Sequence, residues 1–172
     1  AAIAAGHDVT LFNRGQFAPD GLPGAAQLTG DRNSDLSALA TGEWDATVDV
    51  CAYTASQVRS LKDALGGRGG RHAFISTISV YTTNVPDAGY TEAAELLPAD
   101  HGDTLTMEKY GELKVACEQA AAELYGDPLI IRPGYVVGPY DYTDRFTHWI
   151  REVAAGNPIV APAADQPLQC VD

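Results

Sequence analysis

Tyr110 and Lys114 stand four residues apart in Tyr110-Gly-Glu-Leu-Lys114, so on a helix they share one face, one turn apart. A phenol ionises at about pH 10 in water, too high for a base at neutral pH. An ammonium one turn away favours the phenolate and lowers that value. Such a pair can take a proton from an alcohol or return one to a carbonyl. Hydroxyls gather a little earlier, at Ser76, Thr77, Ser79 and Tyr81, behind the apolar run Ala73-Phe74-Ile75. Thr77 at that tip can donate a hydrogen bond to an oxygen on which charge develops. The plainer reading is a surface tyrosine beside a surface lysine. The hydroxyl-tipped strand before the helix favours the chemical reading.

The elements that must position these residues alternate. Val9, Leu11 and Phe12 read as a short strand ending at Asn13-Arg14, followed by a Gly- and Pro-rich loop over 15–24. Residues 25–28 read as a weak strand ending near Asp31-Arg32, and residues 35–39 as a short helix capped by Asn33 or Ser34. In the strand over 44–50, Ala46, Val48 and Val50 alternate. Thr54 then caps a helix whose Val58, Leu61 and Leu65 recur at three and four. After the strand at Ala73 comes an acidic, irregular stretch over 82–105, then a helix over 106–125. Its buried stripe is expected to be Leu113, Ala116, Cys117, Ala120 and Leu124. Leu129-Ile-Ile131 reads as a strand, Phe146, Ile150 and Val153 as a further helix, and Ile159-Val160 and residues 168–171 as short strands.

Strands and helices at this spacing predict an α/β domain of βαβ units, a doubly wound parallel sheet covered on both faces. Ligands of such sheets bind beyond the carboxyl ends of the strands, where Asn13, Arg14, Asp31, Arg32, Ala52, Tyr53, Thr77 and Pro133 fall. The opening Ala-Ala-Ile-Ala-Ala-Gly6 reads as the end of a helix stopped by glycine. The expectation is a fragment, truncated on both sides.

The 172 residues suit one core. With 23 acids against 11 bases the formal charge is -12, which disfavours nucleic acid and anionic membranes as partners. Cys51, Cys117 and Cys170 show no metal spacing and read as free thiols in a cytoplasmic protein. No apolar run is long enough to span a bilayer. His7, His72, His101 and His148 have no ligand spacing, so no metal is expected. Asp141 and Asp144 near Arg145 read as a solvated loop. Glu92 and Glu95 are weaker candidates for a catalytic acid.

Phe74-Ile-Ser-Thr-Ile-Ser-Val-Tyr81, then Tyr110-x-x-x-Lys114, then Ile131-Arg-Pro-Gly-Tyr-Val-Val-Gly-Pro139 resembles the short-chain dehydrogenase/reductase superfamily, in its extended and atypical branch of NAD-dependent epimerase/dehydratase-like proteins. The resemblance runs over essentially the whole chain, in order. It implies a Rossmann-type fold lacking its first strand and glycine-rich turn, with residues 1–142 as a partial NAD(P)-binding domain and 143–172 as the truncated start of a substrate-binding region. It implies Tyr110 as general acid/base, Lys114 as the residue that lowers the phenol pKa and holds the nicotinamide ribose, and Thr77 as the residue that orients substrate.

The cofactor positions carry over in the same way. Arg14, beside Asn13, matches the tip that meets the adenosine ribose; a guanidinium there suits a 2′-phosphate, so NADP is preferred to NAD. Asp31, with Arg32 beside it, resembles the acid next to the adenine amine. Ala52 and Tyr53 resemble the segment beneath the cofactor, and Pro133 and Val136 the backbone positions at the nicotinamide amide. The implied function is hydride and proton transfer at a carbinol or carbonyl of a small-molecule substrate, in a possible homodimer. Its rivals are a nucleotide-sugar epimerase or dehydratase, and a non-catalytic dinucleotide-sensing or RNA-associated member. Cys51-Ala-Tyr53 departs from the usual His-x-Ala-Ala and weighs against the sugar-nucleotide epimerase subgroup.

Overall fold

The computed structural model describes residues 1–16, 22–82, 91–138, 141, 143–161 and 170–171. Five parallel strands form two sheets. β1 (Val9–Asn13) pairs with β2 (Ala25–Thr29), and β3 (Ala46–Asp49), β4 (Arg71–Ile75) and β5 (Leu129–Ile131) pair in that order. Two helices connect the second sheet, α1 (Ala55–Leu65) from β3 to β4 and α2 (Tyr110–Tyr125) from β4 to β5. Strands added in one direction through right-handed crossovers put both helices on the same face.

That face carries the core. Phe74 of β4 is fully buried among Ala55 and Val58 of α1 and Ala116, Cys117, Ala120 and Ala121 of α2. The small residues let the two helices approach each other and the sheet closely. A second cluster joins the sheets: Leu61 and Leu65 of α1 meet Leu39, with Phe12 of β1, Leu28 of β2 and Trp44 packed around them. The expected stripe of α1 is therefore present, and its start is capped as predicted. The Gln57 side chain reaches back to accept from the backbone N–H groups of Tyr53 and Thr54, at 2.7 and 3.3 Å.

The other face of the β3–β5 sheet departs from expectation. Val48 is 59% exposed and Leu129 is 61% exposed, and Val50 and Ile131 are exposed with them. Among the described residues no helix covers this face. The alternating Ala46, Val48 and Val50 thus mark the bare side, and the β3 residues that turn the other way are Thr47 and the buried carboxylate Asp49.

Smaller differences have local causes. The turn Ile3–Ala5 ends at Gly6, whose φ of 87° is left-handed and whose N–H bonds the Ile3 carbonyl, as a glycine stop requires. Only Ser37–Leu39 of the expected 35–39 helix is wound, as a single 3-10 turn. Asp35 rather than Asn33 or Ser34 holds its start, accepting from the Ser37 N–H at 3.0 Å. The α2 helix is wound from Tyr110 rather than from Thr106; residues 107–109 form a turn that Thr106 caps, its hydroxyl accepting from the Lys109 N–H at 3.3 Å. A small parallel pair, β6 (Tyr135–Val136) with β7 (Cys170–Val171), brackets α3 (Arg145–Ala154). The apolar positions of α3 recur as predicted, yet Phe146, Ile150 and Val153 stay exposed. Ile159-Val160 forms no strand. Pro139, and Leu168 of the last expected strand, lie outside the described residues.

Candidate functional site

The site is built where β3, β4 and β5 end. Past Ile75 the chain stays extended through Ser76, whose N–H donates to the Ile131 carbonyl at 2.7 Å, and reaches Thr77. Thr77 caps the 3-10 turn Ile78–Val80: its hydroxyl oxygen accepts from the Ser79 N–H at 3.1 Å. The turn is fastened to the next strand by the Ile78 N–H, which donates to the Pro133 carbonyl at 3.0 Å. Tyr110, the first residue of α2, is half-buried beside it, with the Thr77 side chain near enough to lower the pKa of its phenol.

Gly111 makes that contact possible. A Cβ built on it would lie 2.2 Å from the Ser79 carbonyl oxygen and 2.8 Å from a Leu97 methyl. No side chain fits there, so only glycine lets the first turn of α2 press against the turn that carries Thr77. The glycine follows Tyr110 directly in the sequence, a signal that the pattern of apolar positions does not expose.

Lys114 is 2% exposed. Its ammonium donates to the Ala52 carbonyl at 2.9 Å and to the Ile75 carbonyl at 2.7 Å, and lies 4.2 Å from the centre of the Phe74 ring and 5.7 Å from that of Tyr53. One side chain thus ties the carboxyl ends of β3 and β4 together. Burial lowers its pKa from the ordinary lysine value, against the pull of Cys117, Asp49 and Glu118. The Tyr53 and Tyr110 rings stand 6.3 Å apart, tilted at 46°.

The protonation of Tyr110 runs opposite to the expectation. Burial raises the phenol above its ordinary value; the neighbouring Thr77 hydroxyl and the charge of Arg145 pull it down without overcoming that. The phenol is therefore neutral at pH 7 in this structure, poised to give a proton rather than to take one.

Thr77, Tyr110, Lys114, Ala52, Tyr53 and Pro133 are brought together at one end of the sheet. The remaining positions divide. Asn13 accepts from the Gly15 N–H at 2.7 Å and from the Gln27 side chain at 2.8 Å, holding the β1 tip. Arg14 is exposed and makes no hydrogen bond or ion pair among the described residues. The Asp31 carboxylate accepts from the Asn33 N–H at 2.9 Å, shaping the loop. Arg32 is turned inward. Its guanidinium grips Asp49 at 2.6 and 3.0 Å and the Gln57 carbonyl at 3.2 Å, so its charge is engaged inside the fold rather than offered to a ligand. Val136 is exposed, and its carbonyl accepts from Arg145 at 3.1 Å.

Two supports were not visible beforehand. The Arg32–Asp49 pair resolves a buried carboxylate: burial alone would raise the Asp49 pKa, and the hydrogen bonds and charge of Arg32 bring it below the ordinary value. Arg132 holds Glu118 of α2 at 2.9 and 2.7 Å and the Tyr81 hydroxyl at 2.8 Å, fixing α2 against β5. Glu92 enters only through its backbone carbonyl, bonded by Arg132. A depression of about 460 Å³ lined by Trp44, Asp45, Gly67 and Arg68 lies at the opposite ends of β3 and β4. It is remote from Thr77 and Tyr110, and its Arg68 is bonded to the Leu39 and Ala64 carbonyls, so the chemistry and not the hollow marks the site.

Parallel strands, crossover helices on one face and polar groups at the carboxyl ends decide the architecture. The chain has a Rossmann-type fold. Solved structures agree. The chain is similar to UDP-N-acetylglucosamine 4-epimerase from Bacillus cereus, at 20% identity and a TM-score of 0.61, over 91% of this chain and 57% of that one. It is also similar to the capsular polysaccharide assembling protein CapF from Staphylococcus aureus, at 16% identity and a TM-score of 0.53, over 96% of this chain and 45% of that one. The chain thus spans about half the length of these proteins. No protein-family model and no curated protein matches it. At these identities the resemblance read from the motifs holds at the level of the fold. Among the described residues no helix is long and apolar enough to cross a membrane.

Proposed function

We propose that this chain is the dinucleotide-binding and catalytic part of an NAD(P)-dependent oxidoreductase, epimerase or dehydratase of the short-chain dehydrogenase/reductase superfamily. The observation that supports it is the buried Lys114, whose ammonium bonds the carbonyls of Ala52 and Ile75 at the carboxyl ends of two parallel strands, with the half-buried Tyr110 one turn before it and next to the Thr77 turn. A surface tyrosine beside a surface lysine would have neither the burial nor these partners.

The strand tips fit a dinucleotide. The Ser76 hydroxyl, at the end of β4, is buried and has no hydrogen-bond partner among the described residues, a group that a ligand can satisfy. Lys114 keeps one N–H beyond the two given to carbonyls, and in this reading it holds the nicotinamide ribose. The exposed Arg14 takes a 2′-phosphate, which favours NADP. Asp31 lies at the adenine, Ala52 and Tyr53 beneath the cofactor, and Pro133 and Val136 at the nicotinamide end. The nicotinamide, when bound, supplies or accepts a hydride. Thr77 orients the substrate oxygen, and the neutral Tyr110 phenol gives that oxygen its proton, or recovers it in the reverse direction. Residues 1–142 serve the dinucleotide and residues 143–172 begin the substrate side.

A second reading, a nucleotide-sugar epimerase or dehydratase in which the hydride step is transient, draws on the fold shared with UDP-N-acetylglucosamine 4-epimerase. Fluorescence titration with NADPH and NADH, followed by turnover on a panel of carbonyl compounds and sugar nucleotides, tests both. Net oxidation of NADPH supports the first reading, and product with no net change in nicotinamide supports the second. Neither binding nor turnover would refute the assignment.

A further inference from the structure

Tyr110, Lys114 and Glu118 recur at intervals of four on α2, so the three side chains lie along one side of the helix. The first two belong to the site. Glu118 is 5% exposed and, as a buried carboxylate, needs a cation. Arg132, directly after β5, supplies it as a fork: Nε donates to one carboxylate oxygen at 2.9 Å and Nη2 to the other at 2.7 Å. Such a two-point grip between planar groups fixes direction as well as distance, which a single ammonium contact does not. A helix moves as a body. The grip on Glu118 therefore sets the roll and slide of α2, and with them the place of Tyr110, eight residues or roughly 12 Å nearer its start.

The remaining nitrogen of Arg132 turns to the other half of the site. Nη1 donates to the Tyr81 hydroxyl at 2.8 Å and to the Glu92 carbonyl at 3.0 Å, and the guanidinium carbon lies 5.0 Å from the centre of the Tyr81 ring. Tyr81 closes the 3-10 turn that Thr77 opens, its N–H bonding the Ile78 carbonyl at 3.2 Å. The residue after Arg132 is fastened to the same turn, since the Pro133 carbonyl accepts from the Ile78 N–H. One side chain thus reaches α2 and the Thr77 turn at once.

We propose that Arg132 is a positioning residue of the proton-transfer site: through Glu118 it sets α2, through Tyr81 it sets the turn of Thr77, and so it fixes where Tyr110 and Lys114 stand relative to Thr77. The inference rests on reading Thr77, Tyr110 and Lys114 as that site. A pair that only neutralised charge would need no more than a cation beside Glu118. Here all three nitrogens of the guanidinium are engaged, two on the helix and one on the turn.

The test separates stability from placement. Arg132→Met with Glu118→Leu removes both charges together, so neither is left buried alone and the urea midpoint is expected to stay close to that of the wild type. Lys114 reports the place of α2. Its ammonium lies 4.2 Å from the centre of the Phe74 ring, so the ring current shifts its ε-methylene signal upfield. The chain has three lysines, and Lys62→Arg with Lys109→Arg leaves Lys114 as the one signal after labelling with lysine carrying ¹³C at the ε-carbon. In the Met/Leu variant that signal is expected to move downfield, and kcat with NADPH, on whichever substrate of the panel is turned over, to fall about 10- to 100-fold. Glu118→Gln, which keeps the volume, is expected to move the signal the same way and decides the matter if the Met/Leu variant does not fold. Tyr81→Phe cuts the arm to the turn alone and should lower kcat with the Lys114 signal in place. A Lys114 signal unmoved in both Glu118 variants, or wild-type kcat in the Met/Leu variant or in Tyr81→Phe, overturns the proposal. The Lys114 signal needs no substrate, so absence of turnover in the wild type would sink the proposed function and leave this comparison intact.

Discussion

Replacing Gly111 by alanine sets two physical effects against each other with opposite signs. In the middle of an ordinary helix, glycine to alanine stabilises by about 1 kcal/mol, because alanine loses less backbone freedom. Gly111 lies in the first turn of α2, and its new Cβ would sit 2.2 Å from the Ser79 carbonyl oxygen and 2.8 Å from Leu97. The Leu97 methyl can turn aside. The carbonyl cannot, because the turn that carries it is closed by Thr77 and bonded to Pro133. Reaching an ordinary 3.4 Å contact needs a displacement of more than an ångström. Overpacking of this kind costs about 1–3 kcal/mol, with the bulk of that range surviving the helix gain because the obstacle is backbone. A net loss of about 2 kcal/mol lowers a urea midpoint by roughly 1 M for a slope of about 2 kcal/mol per M. The same displacement lifts Tyr110 from Thr77, so nicotinamide-dependent turnover should fall more than stability does. Equilibrium urea unfolding followed by far-ultraviolet circular dichroism measures the first effect. A midpoint unchanged or raised in Gly111→Ala would refute the close approach of α2 to the Thr77 turn.

The buried ion pair should show the asymmetry of such pairs: Arg32→Met alone leaves Asp49 uncompensated and costs about 3–5 kcal/mol in urea unfolding, while Arg32→Met with Asp49→Leu recovers much of it. If the double variant is no more stable than the single one, the pairing is misread. Because the folded Asp49 pKa lies below the ordinary value, its contribution is present above the unfolded pKa of about 4 and is lost as pH falls through the folded value. Acid unfolding of the wild type should therefore be steeper than that of the double variant, and equal profiles would count against it. For cofactor choice, Arg14→Ala should weaken NADPH in fluorescence titration about tenfold and leave NADH nearly unchanged, on the scale of one lost charge-assisted contact. Equal affinities in all four combinations would remove the case for NADP.

Much of this was legible from residue types. The stop at Gly6, the cap at Thr54 and the stripe Val58, Leu61 and Leu65 are local signals, and each is present in the structure. So is the meeting of Thr77 with Tyr110, though they are 33 residues apart, because strand tip and helix start are tied by the crossover. What escaped depends on neighbours that a linear pattern cannot name. Alternation in β3 showed a strand but pointed to Val48 and Val50, whereas the buried position is Asp49, intelligible only once Arg32 is seen beside it. Spacing put Lys114 on the phenol's face, and the same spacing says nothing of the carbonyls of Ala52 and Ile75 that its ammonium meets. The stripe of α2 was drawn too narrow for a similar reason. Gly111, Lys114, Val115, Glu118 and Ala121 are buried as well, because strands, turn and α1 press on the helix from several sides.

The central claim is that Tyr110 carries the proton while a nicotinamide carries the hydride. Its most direct test follows deuterium from 4-deuterated NADPH into the carbinol carbon of the product, in the wild type and in Tyr110→Phe, with Thr77 and Lys114 intact. The account predicts label in the wild-type product and a rate reduced by about 10²- to 10⁴-fold in the variant, the range for loss of a positioned acid. Equal rates of label transfer in the two proteins would contradict it.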